Sequence, residues 1–202
     1  MIPAHPLILK CPHCKGEKQV LQLISGNTCG GSQWSDMKTD FPMLPEVSMV
    51  QKCPHCGKYF FTAIAEKSTA EDGYSLEKGE LNLSEAIEAY RQLQSEGFKG
   101  RFLNMARMTL VWAANDSMVR CEEPKALSVS EQEVFEECLI ALIDARGTDK
   151  LASAEFCREL GDFDRCVRII DETYSSLDEG SRGIADKIRE HAQSGDRKVF
   201  IL

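Results

Sequence analysis

Apolar and polar positions change rhythm partway along the chain. Up to residue 65 the apolar residues come in short strand-like runs between turn residues. "KGEKQVLQLIS" reads as a turn followed by a strand, and "GKYFFTAIA" as a Gly followed by an aromatic and apolar strand. Residues 66–80, "EKSTAEDGYSLEKGE", are polar and without period, which predicts a linker. Beyond them the period becomes helical. Asn82 with Glu85 resembles a capping box, and Leu83, Ile87, Tyr90 and Leu93 share one face up to Gly97. "RFLNMARMTLVWAAND" is apolar nearly all round in its second half, the pattern of a buried helix. Pro124 breaks the chain. Ser130 and Glu133 open a third helix with Val134, Phe135, Cys138, Leu139, Leu142 and Ile143 inward. Gly147 closes it, and Thr148 caps a fourth. A helix–turn–helix follows at Ala152–Tyr174, then a sixth helix near Ser181–Ala192. The expected fold class is α+β: a small β module over residues 1–65, a linker over 66–80, and an all-α domain over 81–202.

Composition narrows this little. The chain has 202 residues, 43% hydrophobic and 28% charged, an ordinary globular balance. No apolar run approaches the roughly 20 residues of a membrane helix. The start has neither a basic n-region nor a small-residue cleavage site, so no secretory signal is expected. The cysteine count is nine, which is odd. Cys121, Cys138, Cys157 and Cys166 fall at apolar helical positions, where a reduced cysteine acts as a small hydrophobe. A reduced, cytoplasmic protein is the expectation. Net charge is −8, unevenly spread. Residues 1–62 hold six Lys and four Asp or Glu, about +2, and the remainder carries about −10. Neither part shows the clustered Lys and Arg of a phosphate-binding face.

The tetrapeptide Cys-Pro-His-Cys occurs twice, in "LKCPHCKGEK" and "KCPHCGKYFF". Thioredoxin-like disulfide oxidases carry this tetrapeptide at the head of a long helix, which acidifies the first thiol. Here neither copy has a helix behind it. Two Cys-x-x-Cys turns, each leading into a strand, fit a zinc ribbon, in which four thiolates close a tetrahedron and leave no position for water or substrate. The expected ligands of a structural Zn²⁺ are Cys11, Cys14, Cys53 and Cys56. Pro12 and Pro54 pre-set the turns, and Gly16 and Gly57 supply the permissive backbone after them. His13 and His55 are expected to point outward rather than to ligate. A module of about 60 residues buries little core, and a metal is a usual remedy.

Between the knuckles, Gly26–Val47 is an unusually long irregular insert holding Trp34, Ser35 and Asp36. Trp34 and Phe41 are expected to cover the ribbon's apolar face, or else to act as binding anchors. Cys29 has no partner at ligand spacing. In "ASAEFCRELGDFDRCVRIIDETY" the pattern is similar to a tetratricopeptide hairpin. Ala154 stands at the small helix-A position, Gly161 and Phe163 at the turn, and Cys166 at the small helix-B position. The early helix-A aromatic and the closing Pro of that motif are absent. With "GNTCGGSQWSDMKTDFPMLP" between its knuckles and "VWAANDSMVR" among its helices, the whole chain resembles uncharacterised bacterial proteins that join an N-terminal Cys₄ zinc ribbon to tetratricopeptide-like helices. The resemblance implies a bacterial cytosolic protein of this two-part layout.

Catalytic chemistry is not legible. There is no Gly-rich phosphate loop, and no Ser-His-Asp pattern assembles around His191. Asp and Glu are expected on solvated helix faces, and Asn115 with Asp116 as the polar stop of a buried helix. The expectation is a non-enzymatic zinc-binding adaptor or scaffold whose helical domain takes a protein or peptide partner. The rival is a nucleic-acid-binding ribbon in which Lys38, Lys52 and Lys58 grip a strand and Trp34 stacks on a base. The apolar segment "KVFIL" at Lys198–Leu202 is expected to dock on the helices or on a second copy.

Overall fold

A computed structural model describes residues 1–145 and 147–202. The architecture is α+β, small antiparallel sheets with a four-cysteine cluster followed by six helices. By compactness the chain divides into two units: residues 1–31 with 40–113, and residues 32–39 with 114–202. Neither boundary falls in residues 66–80.

In the first unit, β1 (Ile2–Pro3) pairs with β4 (Leu23–Ser25). β2 (Leu7–Lys10) lies between β3 (Glu17–Val20) and β9 (Glu66–Thr69) in an antiparallel three-stranded sheet. β7 (Val50–Lys52) pairs with β8 (Tyr59–Phe61). The core joins Leu9, Val20, Phe60 and Ala65 to the buried cysteines Cys11 and Cys53.

The expected linker is not a free connector. Its first four residues are strand β9, registered Leu7↔Thr69 through Lys10↔Glu66. Further on, the carbonyls of Glu77 and Lys78 accept from the amides of Leu21 and Ser48, and Lys78 O also accepts from the buried Gln51 side chain. Side-chain polarity hid this because both faces of β9 meet solvent, so no alternation marks it as a strand.

Helix α1 (Leu83–Ser95) begins in the expected capping box of Asn82 and Glu85. It buries Ala86, Ala89, Tyr90 and Leu93 and packs on β8 in this same unit. The Gln92 carboxamide acts as a surrogate strand there: its oxygen accepts from Tyr59 N–H and its nitrogen donates to Tyr59 O, both at 3.0 Å. The Tyr59 hydroxyl donates to Glu88, and Lys52 pairs with Glu85 at 2.9 Å. Phe61, Phe98 and Phe102 form an aromatic trio with centroids 5.0–6.1 Å apart.

Helix α2 (Gly100–Asn115) passes from the first unit into the second and ends in a widened π turn at Asp116–Arg120, ahead of Pro124. In the second unit α3 (Val129–Ile143) is capped by Ser128 with Glu131, two residues before the expected pair Ser130 and Glu133. The inward residues are as expected. Asp149, not Thr148, caps α4 (Lys150–Leu160), while the Thr148 hydroxyl donates back to Leu142 O. Gly161 ends α4 in the left-handed conformation at φ 90, which favours glycine, and Asp162 caps α5 (Phe163–Thr173). The hairpin thus forms, with Ala154 and Cys166 fully buried. α6 (Glu179–Gln193) follows an Asp178 cap.

The knuckle insert also contributes to the second unit. β5 (Ser32–Gln33) and β6 (Thr39–Asp40) form a hairpin, and residues 197–202 lie beside its first strand. Leu202 N–H donates to Gln33 O, Ser35 N–H to Phe200 O, and Phe200 N–H to Ser35 Oγ. The apolar segment therefore docks on its own chain, with Val199 buried and Phe200 stacked on His191 at 3.8 Å.

Candidate metal centre

The two knuckles are built alike. Cys11 N–H donates to Gly16 O and Lys15 N–H to Cys11 O; Cys53 N–H donates to Lys58 O and Gly57 N–H to Cys53 O. Each turn needs a left-handed residue immediately after its second cysteine. Gly57 takes that position at φ 72, but in the first knuckle it falls to Lys15 at φ 64, not to Gly16 as expected. Gly16 is required for space: a Cβ there would sit 2.4 Å from the His55 ring.

These turns bring together the four expected ligands. All four Sγ atoms lie within 4.8 Å of one another, with Cys11–Cys56 at 3.8 Å and Cys14–Cys53 at 3.6 Å. A tetrahedral ion with bonds of about 2.3 Å sets sulfurs about 3.8 Å apart, while a disulfide needs about 2.05 Å. The chemistry is therefore that of a metal cradle. Cys11 and Cys53 are buried, and Cys14 and Cys56 face outward. Burial works against the Cys53 thiolate, but the amides of Cys56 and His55 and the neighbouring thiols outweigh it and bring it down to about 7. Cys14 goes the other way. The Gly16 amide favours its thiolate, yet desolvation and the adjoining sulfurs push it up to about 12. Four crowded sulfurs oppose one another's charge, and a divalent cation relieves that opposition.

Neither histidine belongs to the cluster. His13 Nε2 lies 3.2 Å from Tyr59 O and His55 Nε2 lies 3.0 Å from Glu17 O. Each acceptor is a carbonyl, so each Nε2 carries the proton and donates. The histidines are exposed, as expected, but each also clips its knuckle to the strand that follows the other one.

The cations and aromatic of the rival reading are mostly engaged within their units. Lys38 pairs with Asp116 and Lys52 with Glu85, and the Arg120 guanidinium lies 5.1 Å over the Trp34 ring. Lys58 is exposed. Cys29 and Cys121 are exposed thiols, so Cys121 is not the apolar helix position expected. Burial pushes Cys157 up to about 11 and Cys166 up to about 12, which leaves both as inert fillers.

The chain's most unusual chemistry outside the knuckles lies in a buried network of the second unit. Asp36 accepts from Arg120 at 2.8 and 3.0 Å and from Asn115 at 2.9 Å. Asn115 also donates to Glu159 at 2.8 Å, and Arg158 forks onto Glu155, with Asp36, Glu155 and Arg158 fully buried. Asn115 is thus a hub rather than a polar stop, and these acids are not on a solvated face. The available sequence signal is the run of small residues Ala152, Ser153 and Ala154 beside these charges, which marks a helix buried all round, as Leu151–Glu159 are. Burial, then the charges of Glu155 and Asp36, raise the Glu159 carboxyl well above the ordinary carboxylate range. Its Oε1 is buried without a hydrogen-bond partner among the described residues. A neutral Glu159 balances the set: Asp36 and Glu155 against Arg120 and Arg158.

Among the described residues no helix is long and apolar enough to cross a membrane. Comparison with protein-family models, curated proteins and solved structures finds no match to this chain.

Proposed function

We propose that this chain is a non-enzymatic protein-interaction module, held at its N-terminal side by a structural zinc ribbon. The carrying observation is the closed set of sulfurs at Cys11, Cys14, Cys53 and Cys56, which no histidine or carboxylate joins among the described residues. Four thiolates complete a tetrahedron, so the ion they suit is a folding element and not a Lewis acid with a free position. Zn²⁺ bound there contributes on the order of 10–16 kcal/mol, ample to organise a core as small as this one.

The adaptor reading rests on the second unit. Its α4–α5 hairpin, with Ala154 and Cys166 at the contact and Gly161 at the turn, is tetratricopeptide-like, and such hairpins commonly present a surface to a peptide. Arg158, the buried cation of α4, is neutralised by Glu155, so the network is suited to holding shape. The engaged state of Lys38, Lys52 and Trp34 favours this reading over a nucleic-acid surface.

Two measurements test the proposal. Elemental analysis of the purified protein is expected to find one zinc per chain, lost in the Cys53→Ser, Cys56→Ser variant. Capture from lysate, with and without nuclease, is expected to retain a protein in both arms. Absence of metal refutes the ribbon. Retention that vanishes with nuclease and with salt refutes the adaptor and favours its rival.

A further inference from the structure

The segment Arg197–Leu202 lies on the second unit much as a bound peptide lies on a receptor. It leaves α6 at the Ser194 cap, turns through Gly195 and runs antiparallel to Gln33–Ser35. Three hydrogen bonds from or to its backbone tie it there, from Ser35 to Phe200 at 2.9 Å, from Leu202 to Gln33 at 2.9 Å and from Phe200 to Ser35 Oγ at 3.1 Å, and the Arg197 side chain adds bonds to Glu159 O at 2.7 Å and to Glu136 at 3.4 Å. The pairing is a single antiparallel bridge, Trp34 with Ile201, just beyond the end of β5, a minimal strand addition made in cis. Of its side chains only Val199 is buried. Ile201 is 54% exposed, and Arg197 and Lys198 are exposed. Phe200 is the anchor. One ring face stacks on His191 at an interplanar angle of 5°, and the Arg158 guanidinium lies 5.1 Å from its centroid.

We infer that this surface is a binding site for an extended peptide of apolar–aromatic–apolar sequence, which residues 197–202 occupy as an internal, displaceable ligand. Three features of the cradle set that chemistry. The backbone of Gln33–Ser35 offers a donor and an acceptor, which read any extended chain without regard to sequence. The His191 ring, with the Arg158 guanidinium nearby, reads a flat ring. The buried position of Val199 reads a small branched side chain one residue earlier. Emptying the cradle breaks the backbone bonds to Gln33 and Ser35 and the Arg197 bond to Glu159 O, and it uncovers the His191 ring and one small apolar position, while Arg158 keeps its bonds to Glu155 and to Asp196 O. Release of the segment is therefore inexpensive compared with opening a core.

A tethered segment this short acts at an effective concentration on the order of millimolar, so it excludes a free peptide of equal affinity. A partner gains access by matching the ring and adding contacts beyond the cradle. The inference rests on the adaptor reading and names the class of its ligand.

The test uses the full chain and a fluorescent peptide with the sequence of residues 197–202. Phe200→Ala weakens the internal ligand while leaving the cradle intact. This variant is expected to bind the peptide at least about tenfold more tightly than the parent chain, and a peptide with Ala in place of Phe is expected not to bind. A folded Phe200→Ala chain that binds no better than the parent overturns the inference. Should that variant fail to fold, hydrogen exchange on the parent chain decides. The amides of Ser35, Phe200 and Leu202 are expected to exchange at least about tenfold faster than those of α4. Equal protection makes the segment part of the core and overturns the inference. Peptide binding to Phe200→Ala with no protein captured from lysate leaves the cradle standing and removes the adaptor. Capture by parent and variant alike, unaffected by the peptide, does the reverse.

Discussion

The two compact units place their polar chemistry beside their apolar cores in opposite ways. The first unit gathers four sulfurs at the end of a small apolar cluster and leaves them mutually repelling. Their spacing suits a cation. The second unit encloses its charges in matched pairs, Asp36 with Arg120 and Glu155 with Arg158, and joins them through Asn115. It needs nothing from outside, but it tolerates the loss of no single partner. One unit is thus sensitive to the medium, and the other to substitution.

The largest expected effect breaks the comparison on the side of the metal. Chelation, or Cys53→Ser with Cys56→Ser, removes about 10–16 kcal/mol of apparent binding energy and unfolds the first unit. Because α1 packs on β8, its amides are expected to lose protection with the strands, while those of α4 and α5 keep theirs. Hydrogen exchange with and without chelator reads this directly. Unchanged protection at Tyr90 and Leu93 would show that α1 stands without the metal.

Next comes the buried cation. Arg158→Ala leaves Glu155 buried without its cation and is expected to cost about 3–5 kcal/mol in denaturant unfolding of the second unit. Zinc content should stay at one per chain. A loss below about 1 kcal/mol would mean that the network is hydrated and unimportant.

Glu159 sharpens the contrast through pH. Its folded carboxyl is raised above the ordinary value by burial and by the Glu155 and Asp36 charges, so folding favours its protonated form. That stability is present in full below about pH 4 and drains away as pH climbs through the raised value. Glu159→Gln keeps an acceptor for Asn115 and carries no charge. It is expected to flatten this part of the pH profile and to be more stable than the parent at pH 7 by on the order of 1 kcal/mol or more, because the glutamine gains no charge when the chain unfolds, whereas Glu159 does. A variant less stable than the parent at pH 7, with the same slope, would show that Glu159 is ionised in the fold.

The smallest effect separates the knuckles. Gly57→Ala forces a side chain into a left-handed position and is expected to cost about 1 kcal/mol. Lys15→Gly relieves the same constraint in the first knuckle and should cost nothing or stabilise slightly. Equal losses in both would remove the distinction between the two turns.

By itself the sequence determined what depends on spacing. Cys-x-x-Cys turns place two sulfurs on one ion whatever surrounds them, and the cluster forms from the four residues expected. Helical period placed the inward residues of α3, and Gly161 the turn between α4 and α5, because capping and periodicity act within a few residues. Tertiary structure decided what meets across long stretches of chain. Asp36 and Asn115 are 79 residues apart, and Asn115 and Glu159 are 44 apart. Nothing local distinguishes an aspartate bound for burial from one on a solvated loop. The same holds for β9, whose exposed faces carry no alternation although its backbone completes a sheet, and for α1, whose apolar face does not name the surface it covers. Closing a longer loop costs little more than closing a short one, so such pairings leave no local trace. They are selected by which buried charges and backbone groups find partners once the chain has collapsed.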